Sequence, residues 1–122
     1  MNAVLGRVVA GYAGARKANK YKAKPVEIDG IRFPSIKQGK RYKALKLLQA
    51  EGRIRNLRLE VPYAVKINGA TVCVYRADFV YDEYAHGSWA EVVEDVKGMK
   101  TPVYNLKKRL MKACNGIEIR ES

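Results

Sequence analysis

Two aspartates and a lysine are the residues of this sequence whose types and spacing could do chemistry. Asp78 precedes Asp95 by 17 residues, and Lys97 follows two positions after Asp95. Two carboxylates and a backbone carbonyl, here that of Val96, are oxygen ligands suited to Mg²⁺ or Mn²⁺. An ion held in this way activates water for phosphodiester hydrolysis, and a lysine orients or deprotonates that water. By spacing alone the pattern is weak, and a cross-strand ion pair on a half-exposed strand is the alternative explanation.

The charge of the chain is large and unevenly distributed. Twenty-four Lys and Arg against twelve Asp and Glu give a formal net charge of +12 over 122 residues. A polyanion is the usual partner of such a surface, and nucleic acid is the first candidate. Residues 59–96 nevertheless carry seven acidic and only two basic side chains. These acids would repel phosphate unless a bound divalent cation reverses the local charge, or unless salt bridges to Lys and Arg compensate them.

The composition is typical of one soluble globular domain, with 48% hydrophobic and 30% charged residues. We expect a basic arm over residues 1–24, followed by a single domain over residues 25–122. The chain lacks an apolar run of about 18 residues and the leading positive charges of a secretory signal. No membrane partner and a cytoplasmic location are therefore expected. Cys73 and Cys114 have no CxxC spacing and are expected to be reduced, partly buried thiols.

The elements that position these residues can be read from turn and cap signals. Asp29-Gly30 within residues 26–33 predicts a small β-hairpin. Ser35 is a good N-cap and Gly52 a stop signal, so a helix is expected between them. Its inner face, by helical spacing, contains Gln38, Tyr42, Leu45 and Leu48 or Gln49.

The period then changes to two, which indicates strands. Residues 57–67 and 70–81 are predicted strands joined at Asn68-Gly69, followed by a polar loop over 82–88 and a third strand over 89–98. In the second strand alternation places four residues on one face, namely Val74, Arg76, Asp78 and Val80, and the other face receives Cys73, Tyr75, Ala77, Phe79 and Tyr81.

The third strand separates its two neighbouring acids. Asp95 and Lys97 share one face, whereas Glu94 points to the other and is a second-line candidate. If the second and third strands pair as a hairpin, Asp78 and Asp95 lie within reach of one ion. A second helix begins at Thr101-Pro102 with an apolar face of Val103, Leu106, Leu110 and Ala113, and residues 117–120 form a last strand.

The order helix, three-stranded antiparallel meander, helix, strand around Asp78 and Asp95 resembles the PD-(D/E)XK nuclease superfamily. The closer likeness is to small phage-encoded endonucleases related to Holliday junction resolvases. It covers about residues 20–120, and its most specific motifs are YRADFVY and VVEDVKGMKTPVY. This resemblance implies an α/β fold with a restriction-endonuclease-like core, Mg²⁺ as cofactor with Mn²⁺ as a substitute, and cleavage of DNA, preferentially at four-way junctions. It implies Asp78 and Asp95 as metal ligands and Lys97 as the catalytic lysine.

One departure concerns Gln38. Relatives usually place a glutamate at this point of the first helix to complete the metal shell, so the resemblance implies a catalytic and metal-ligating role for this position. An amide oxygen can ligate a hard cation but brings no charge, and a buried amide satisfied by the backbone is the alternative.

Basic residues are expected to flank the site and neutralise phosphates. Tyr104 is a second-line DNA contact with an equally good packing explanation. Because a two-fold symmetric junction needs two cuts, a homodimer is expected, and a phage-encoded protein of this kind would act in the cytoplasm of its bacterial host. The alternatives are a nicking or restriction-type nuclease on linear duplex and a non-catalytic DNA-binding protein that retains the fold. The expected DNA-binding residues are Lys20, Lys22, Lys24, Lys37, Lys40, Arg41, Lys100, Lys107 and Lys108.

Overall fold

A computed structural model of the chain describes residues 24–96 and 99–122. It contains two helices and six strands in these ranges, which confirms the α/β class. The chain divides into two compact units at the boundary between Lys43 and Ala44. In the described ranges, neither helix has the length and apolar character needed to cross a membrane.

The first unit contains the predicted hairpin and the first half of a helix. Strand β1 (Val26–Ile28) pairs antiparallel with β2 (Ile31–Phe33), and the Asp29-Gly30 turn between them has positive φ at both positions. Helix α1 (Ile36–Ala50) begins as predicted, because the Ser35 Oγ accepts a hydrogen bond of 3.1 Å from the Gln38 backbone N–H.

The inner face of α1 is the predicted one. Gln38, Tyr42 and Leu45 are buried, while Leu48 and Gln49 are half-buried. Helical spacing therefore identified the residues that α1 turns away from solvent.

The second unit is built on one four-stranded sheet. Its strands are β3 (Ile54–Ile67), β4 (Ala70–Ala85), β5 (Ser88–Asp95) and β6 (Ile119–Glu121), in that spatial order. β3, β4 and β5 form an antiparallel meander, and β6 is parallel to β5. The predicted meander and the late-added strand are thus both present, and they place the ends of β5 and β6 side by side.

The prediction of a polar loop over residues 82–88 is wrong. β4 continues to Ala85, and only His86 and Gly87 form the turn, with φ of 52° and 82°. Such a two-residue turn with positive φ at both positions matches the twist of the flanking strands. The acidic residues that suggested a loop are compatible with a strand, because Asp82 pairs with Arg55 and Glu83 with Arg120.

Helix α2 (Pro102–Asn115) has the predicted N-cap at Thr101 but a different buried face. Tyr104 and Met111 are buried, whereas Val103 and Leu106 are 63% and 54% exposed. The expected apolar stripe is therefore wrong at Val103, Leu106 and Ala113, which are exposed, and holds only at Leu110, which packs against the core. The seven-residue spacing of Tyr104 and Met111 puts both side chains on one face, where they join a core cluster of Val65, Tyr75, Ala77, Val80, Val93 and Ile119.

Candidate functional site

Asp95 is the last residue of β5 and lies at the centre of the candidate site. Its side chain is only 1% exposed, and its Oδ2 accepts a hydrogen bond of 2.5 Å from the Tyr75 hydroxyl on β4. Burial, and then the hydrogen bond to Asp95, raise the pKa of Tyr75 above its ordinary value. The phenol therefore stays protonated at neutral pH and acts as a fixed donor to the carboxylate.

Asp78 meets the same strand end from β4. The register of β4 and β5 runs to Phe79 opposite Glu94, so the next positions in that register are Asp78 and Asp95. The Asp78 Oδ2 accepts a hydrogen bond of 2.8 Å from the Val96 backbone N–H, directly after Asp95. The predicted hairpin thus brings the two aspartates to one end of β5, and each has a hydrogen-bond donor that orients it.

The faces of β4 do not follow the strict alternation expected from the sequence. Tyr75, Ala77 and Val80 belong to one core cluster, although an even and an odd position should face opposite ways. Glu60, between the residues that pair with Ala77 and Phe79, has a φ of 51° instead of an extended conformation. This irregularity lies opposite Asp78, where the core-facing positions of β4 change from odd (Tyr75, Ala77) to even (Val80). No sequence signal marked Tyr75 as a site residue. Position 60 is a glutamate and not a Gly or Pro, so its residue type gives no indication of the irregular backbone there.

Glu94 is separated from Asp95 as predicted. It is fully buried, and its two carboxylate oxygens accept hydrogen bonds from the Tyr81 hydroxyl (2.5 Å) and the Ser122 Oγ (2.6 Å). Glu94 therefore ties β5 to the chain end after β6 on the side of β5 away from Tyr75. We interpret it as a structural acid.

A cavity of about 410 Å³ opens beside Asp95. Residues from β4, β5 and α2 line it. Of the described residues that line it, Asp95 is the only acidic one, and Arg76 and Lys107 are the basic ones. The other lining residues include the ring-bearing Tyr75 and Tyr104 and the apolar Val74 and Val103.

Glu121 on β6 accepts hydrogen bonds from three side chains, one of which, Tyr104, also lines the cavity. It accepts hydrogen bonds from the Tyr104 hydroxyl at 2.8 Å, from Lys100 Nζ at 2.9 Å and from Lys108 Nζ at 3.1 Å. The bonds to Lys100, Tyr104 and Lys108 lower the pKa of Glu121 to about 2. Burial, followed by the bond to Glu121, raises the pKa of Tyr104. Tyr104 thus has a packing and bonding role, and two of the expected phosphate ligands, Lys100 and Lys108, already pair with an acid.

The other expected site residues belong to both units, and some of them lie outside the described residues. Lys24, Lys37 and Lys40 are exposed and Arg41 is half-buried, while Lys107 donates to the Val74 carbonyl at 3.0 Å. Gln38 is buried in the first unit, whereas Asp78 and Asp95 belong to the second. Lys20, Lys22 and Lys97 lie outside the described residues.

The oxygen ligands available at the end of β5 suit a hard divalent cation. Asp78 and Asp95 supply carboxylate oxygens, which Mg²⁺ and Mn²⁺ prefer over nitrogen and sulfur. Within residues 24–96 and 99–122, no three His, Cys, Asp or Glu side chains lie together as a metal-binding group. A cation here would therefore be held by the aspartate pair, completed by water and by groups such as backbone carbonyls or amides. Mg²⁺ commonly retains several waters in this way.

The fold and the site together define an α/β protein with an aspartate pair at the end of a mixed sheet. The family model described as "Protein of unknown function (DUF1064)" matches residues 18–118, and the chain belongs to that family. Comparisons with curated proteins and with solved structures gave no match.

Proposed function

We propose that this protein is a metal-dependent endodeoxyribonuclease that hydrolyses DNA phosphodiester bonds as a structure-selective, Holliday junction resolvase-like enzyme. The observation that carries the proposal is the placement of Asp78 and Asp95. They come from adjacent antiparallel strands and meet at the end of β5, and Asp95 lines a cavity together with the basic side chains of Arg76 and Lys107.

The residues of the site have distinct roles in this proposal. Asp78 and Asp95 hold Mg²⁺ or Mn²⁺, which would activate a water and stabilise charge on the leaving oxygen. The Tyr75 hydroxyl and the Val96 N–H orient the two carboxylates, so their positions are set before substrate binds. Lys97, two residues after Asp95, is the residue proposed to orient or deprotonate the attacking water.

DNA as substrate is supported by charge, and the branched form by the sequence resemblance. A net charge of +12 favours a polyanionic partner. The motifs around Asp78 and Asp95 resemble those of phage-encoded resolvases, which implies a homodimer that cuts a four-way junction twice in the bacterial cytoplasm.

A non-catalytic DNA-binding protein is the second candidate, and Gln38 is the observation that favours it. A neutral amide at the position where relatives have a glutamate provides less charge for a cation. If Gln38 contacts the metal, Gln38→Glu should increase the metal-dependent cleavage rate about tenfold or more, a gain of roughly 1.4 kcal/mol in transition-state stabilisation. Lys43→Glu, also exposed on α1 and outside the expected DNA-binding set, is the matched control for added negative charge on α1.

The two candidates and the linear-duplex alternative are separated by one assay. The full chain is incubated with a labelled four-way junction or a linear duplex of equal length, in Mg²⁺, Mn²⁺ or chelator. We expect cleavage of the junction in either metal, little cleavage of the duplex and none in chelator. Equal cleavage of both substrates would exclude junction selectivity, and binding without cleavage in either metal would favour the second candidate.

A further inference from the structure

Arg76 and Lys107 differ from most of the basic residues near the site, because no acid pairs with them. The Arg76 Nη1 donates to the Glu60 carbonyl at 3.3 Å, and the Lys107 Nζ donates to the Val74 carbonyl at 3.0 Å. All twelve acidic residues of the chain fall within residues 24–96 and 99–122. None of them forms an ion pair with Arg76 or Lys107 in that part of the chain.

Both basic side chains are hydrogen-bonded to backbone carbonyls, which do not neutralise their charge. A carbonyl oxygen accepts a hydrogen bond from a cationic side chain but carries no net charge, so the positive charges remain available to an anion. Lys100 and Lys108, by contrast, are both committed to Glu121.

Arg76 and Lys107 line the same cavity as Asp95. Among the described lining residues they contribute two positive charges and Asp95 contributes the only negative one, so this part of the lining is net positive even without a metal ion. The apolar walls of Val74 and Val103 lie beside these charges. A singly charged oxyanion joined to a small ring that presents C–H groups matches this combination, and a phosphodiester with its deoxyribose has that chemistry.

We infer that Arg76 and Lys107 form a phosphate-binding site that holds the DNA backbone in the cavity beside Asp95. This inference rests on the proposed function, and it assigns the substrate contact within that site. Arg76 donates through its guanidinium fork, and Lys107 acts as a point charge from α2. Val74 and Val103 contact the sugar. Arg76 is new to the set of basic residues expected from the sequence, and Lys107 gains a defined place in it.

The test measures junction binding by the full-length protein in chelator, where cleavage is absent. Fluorescence anisotropy of a labelled four-way junction gives the dissociation constant at several salt concentrations. Arg76→Gln and Lys107→Gln should each reduce the slope of log affinity against log salt by about 1, and the double variant by about 2. Arg76→Lys and Lys107→Arg retain the charge and should retain the slope.

Arg53→Gln is the matched control. Its side chain is 72% exposed. Arg53 directly precedes β3 and lies nine residues before Pro62, the residue that pairs with Arg76, which corresponds to about 30 Å of extended chain. We expect this variant to keep the wild-type slope. Circular dichroism and thermal unfolding verify that every variant is folded.

The Asp95→Asn variant tests whether the phosphate binds in the cavity or elsewhere on the surface. Removing this charge in chelator should tighten junction binding by about threefold or more, because the acid repels a phosphate held beside it. In the Arg76→Gln, Lys107→Gln background the gain should disappear, since the two effects share one bound anion.

The outcomes separate this inference from the nuclease proposal. Slopes that match the Arg53→Gln control would overturn the phosphate site even if the wild-type protein cleaves DNA. Changed slopes with the Asp95 coupling, in a protein that cleaves nothing in Mg²⁺ or Mn²⁺, would support the phosphate site and overturn the nuclease.

Discussion

At the scale of single residues, the site depends on how a buried carboxylate is oriented. Asp95 is 1% exposed, and the Tyr75 hydroxyl donates to its Oδ2. A hydrogen bond to a buried charged group stabilises the fold because a lost donor leaves the carboxylate poorly solvated. The same bond restricts the direction in which Asp95 offers its oxygens to a cation.

Tyr75→Phe removes this one hydroxyl and retains the ring. We expect the free energy of unfolding to fall by about 1–3 kcal/mol, measured by urea denaturation. The cleavage rate should fall while junction binding in chelator is preserved, because Tyr75 acts through Asp95. Tyr63→Phe is the control, since the Tyr63 hydroxyl forms no hydrogen bond within residues 24–96 and 99–122. Equal effects of the two substitutions would show that the Tyr75 hydroxyl has no special role.

At the scale of elements, α2 is held to the sheet by a face that differs from the expected one. Met111 is fully buried in the core cluster, whereas Leu106 is 54% exposed. Met111→Ala should therefore lower the free energy of unfolding by about 2–5 kcal/mol, because it leaves a cavity in a packed core. Leu106→Ala should change it by less than about 1 kcal/mol. Thermal or urea unfolding of the two variants measures the difference, and the reverse order would restore the stripe expected from the sequence.

The contact of α2 with β6 should also determine part of the acid sensitivity of the protein. The pKa of Glu121 is lowered from 4.5 to about 2, so its ionised form stabilises the folded state. This contribution is fully present above pH 4.5 and is lost as the pH falls from 4.5 towards 2. Glu121→Gln should therefore be less stable at pH 7 and lose less stability across that interval. Urea unfolding at a series of pH values tests this, with Glu51→Gln as the control, because Glu51 is an exposed acid whose ion pair with Arg53 spans 3.9 Å. An unchanged acid limb in the Glu121 variant would exclude this role.

Local signals predicted the elements well, and the irregular contacts poorly. Asp29-Gly30 and Asn68-Gly69 marked hairpins, and Ser35 and Thr101 marked helix starts, because each acts through its immediate neighbours. Alternation on β5 correctly separated Asp95 from Glu94. The Tyr75 contact instead joins two strands near an irregularity at Glu60, and the buried face of α2 depends on which side chains the sheet accepts. Neither is encoded within a single element.

At the scale of the whole molecule, positively charged stretches flank a smaller acidic region along the sequence. The net charge of +12 should dominate the affinity for DNA, whereas the acids within residues 59–96 mostly have local partners. Arg55 pairs with Asp82 and Arg58 with Glu91, and Tyr81 donates to Glu94. Asp95 also lines a cavity in which the other charged residues, among those the structure describes, are basic. In the proposed function, a metal held by Asp78 and Asp95 would thus lie beside the cavity in which a DNA phosphate would bind.

The most direct measurement is the cleavage rate of a labelled four-way junction in Mg²⁺ and in Mn²⁺ by wild-type protein and three carboxylate variants. Asp78→Asn and Asp95→Asn retain side-chain size but weaken a cation site, and each should reduce the rate by about 100-fold or more. Glu91→Gln, on the same strand and paired at the surface with Arg58, should cleave at nearly the wild-type rate. Folded Asp78→Asn and Asp95→Asn proteins that cleave as fast as Glu91→Gln would show that this aspartate pair does not hold the catalytic metal.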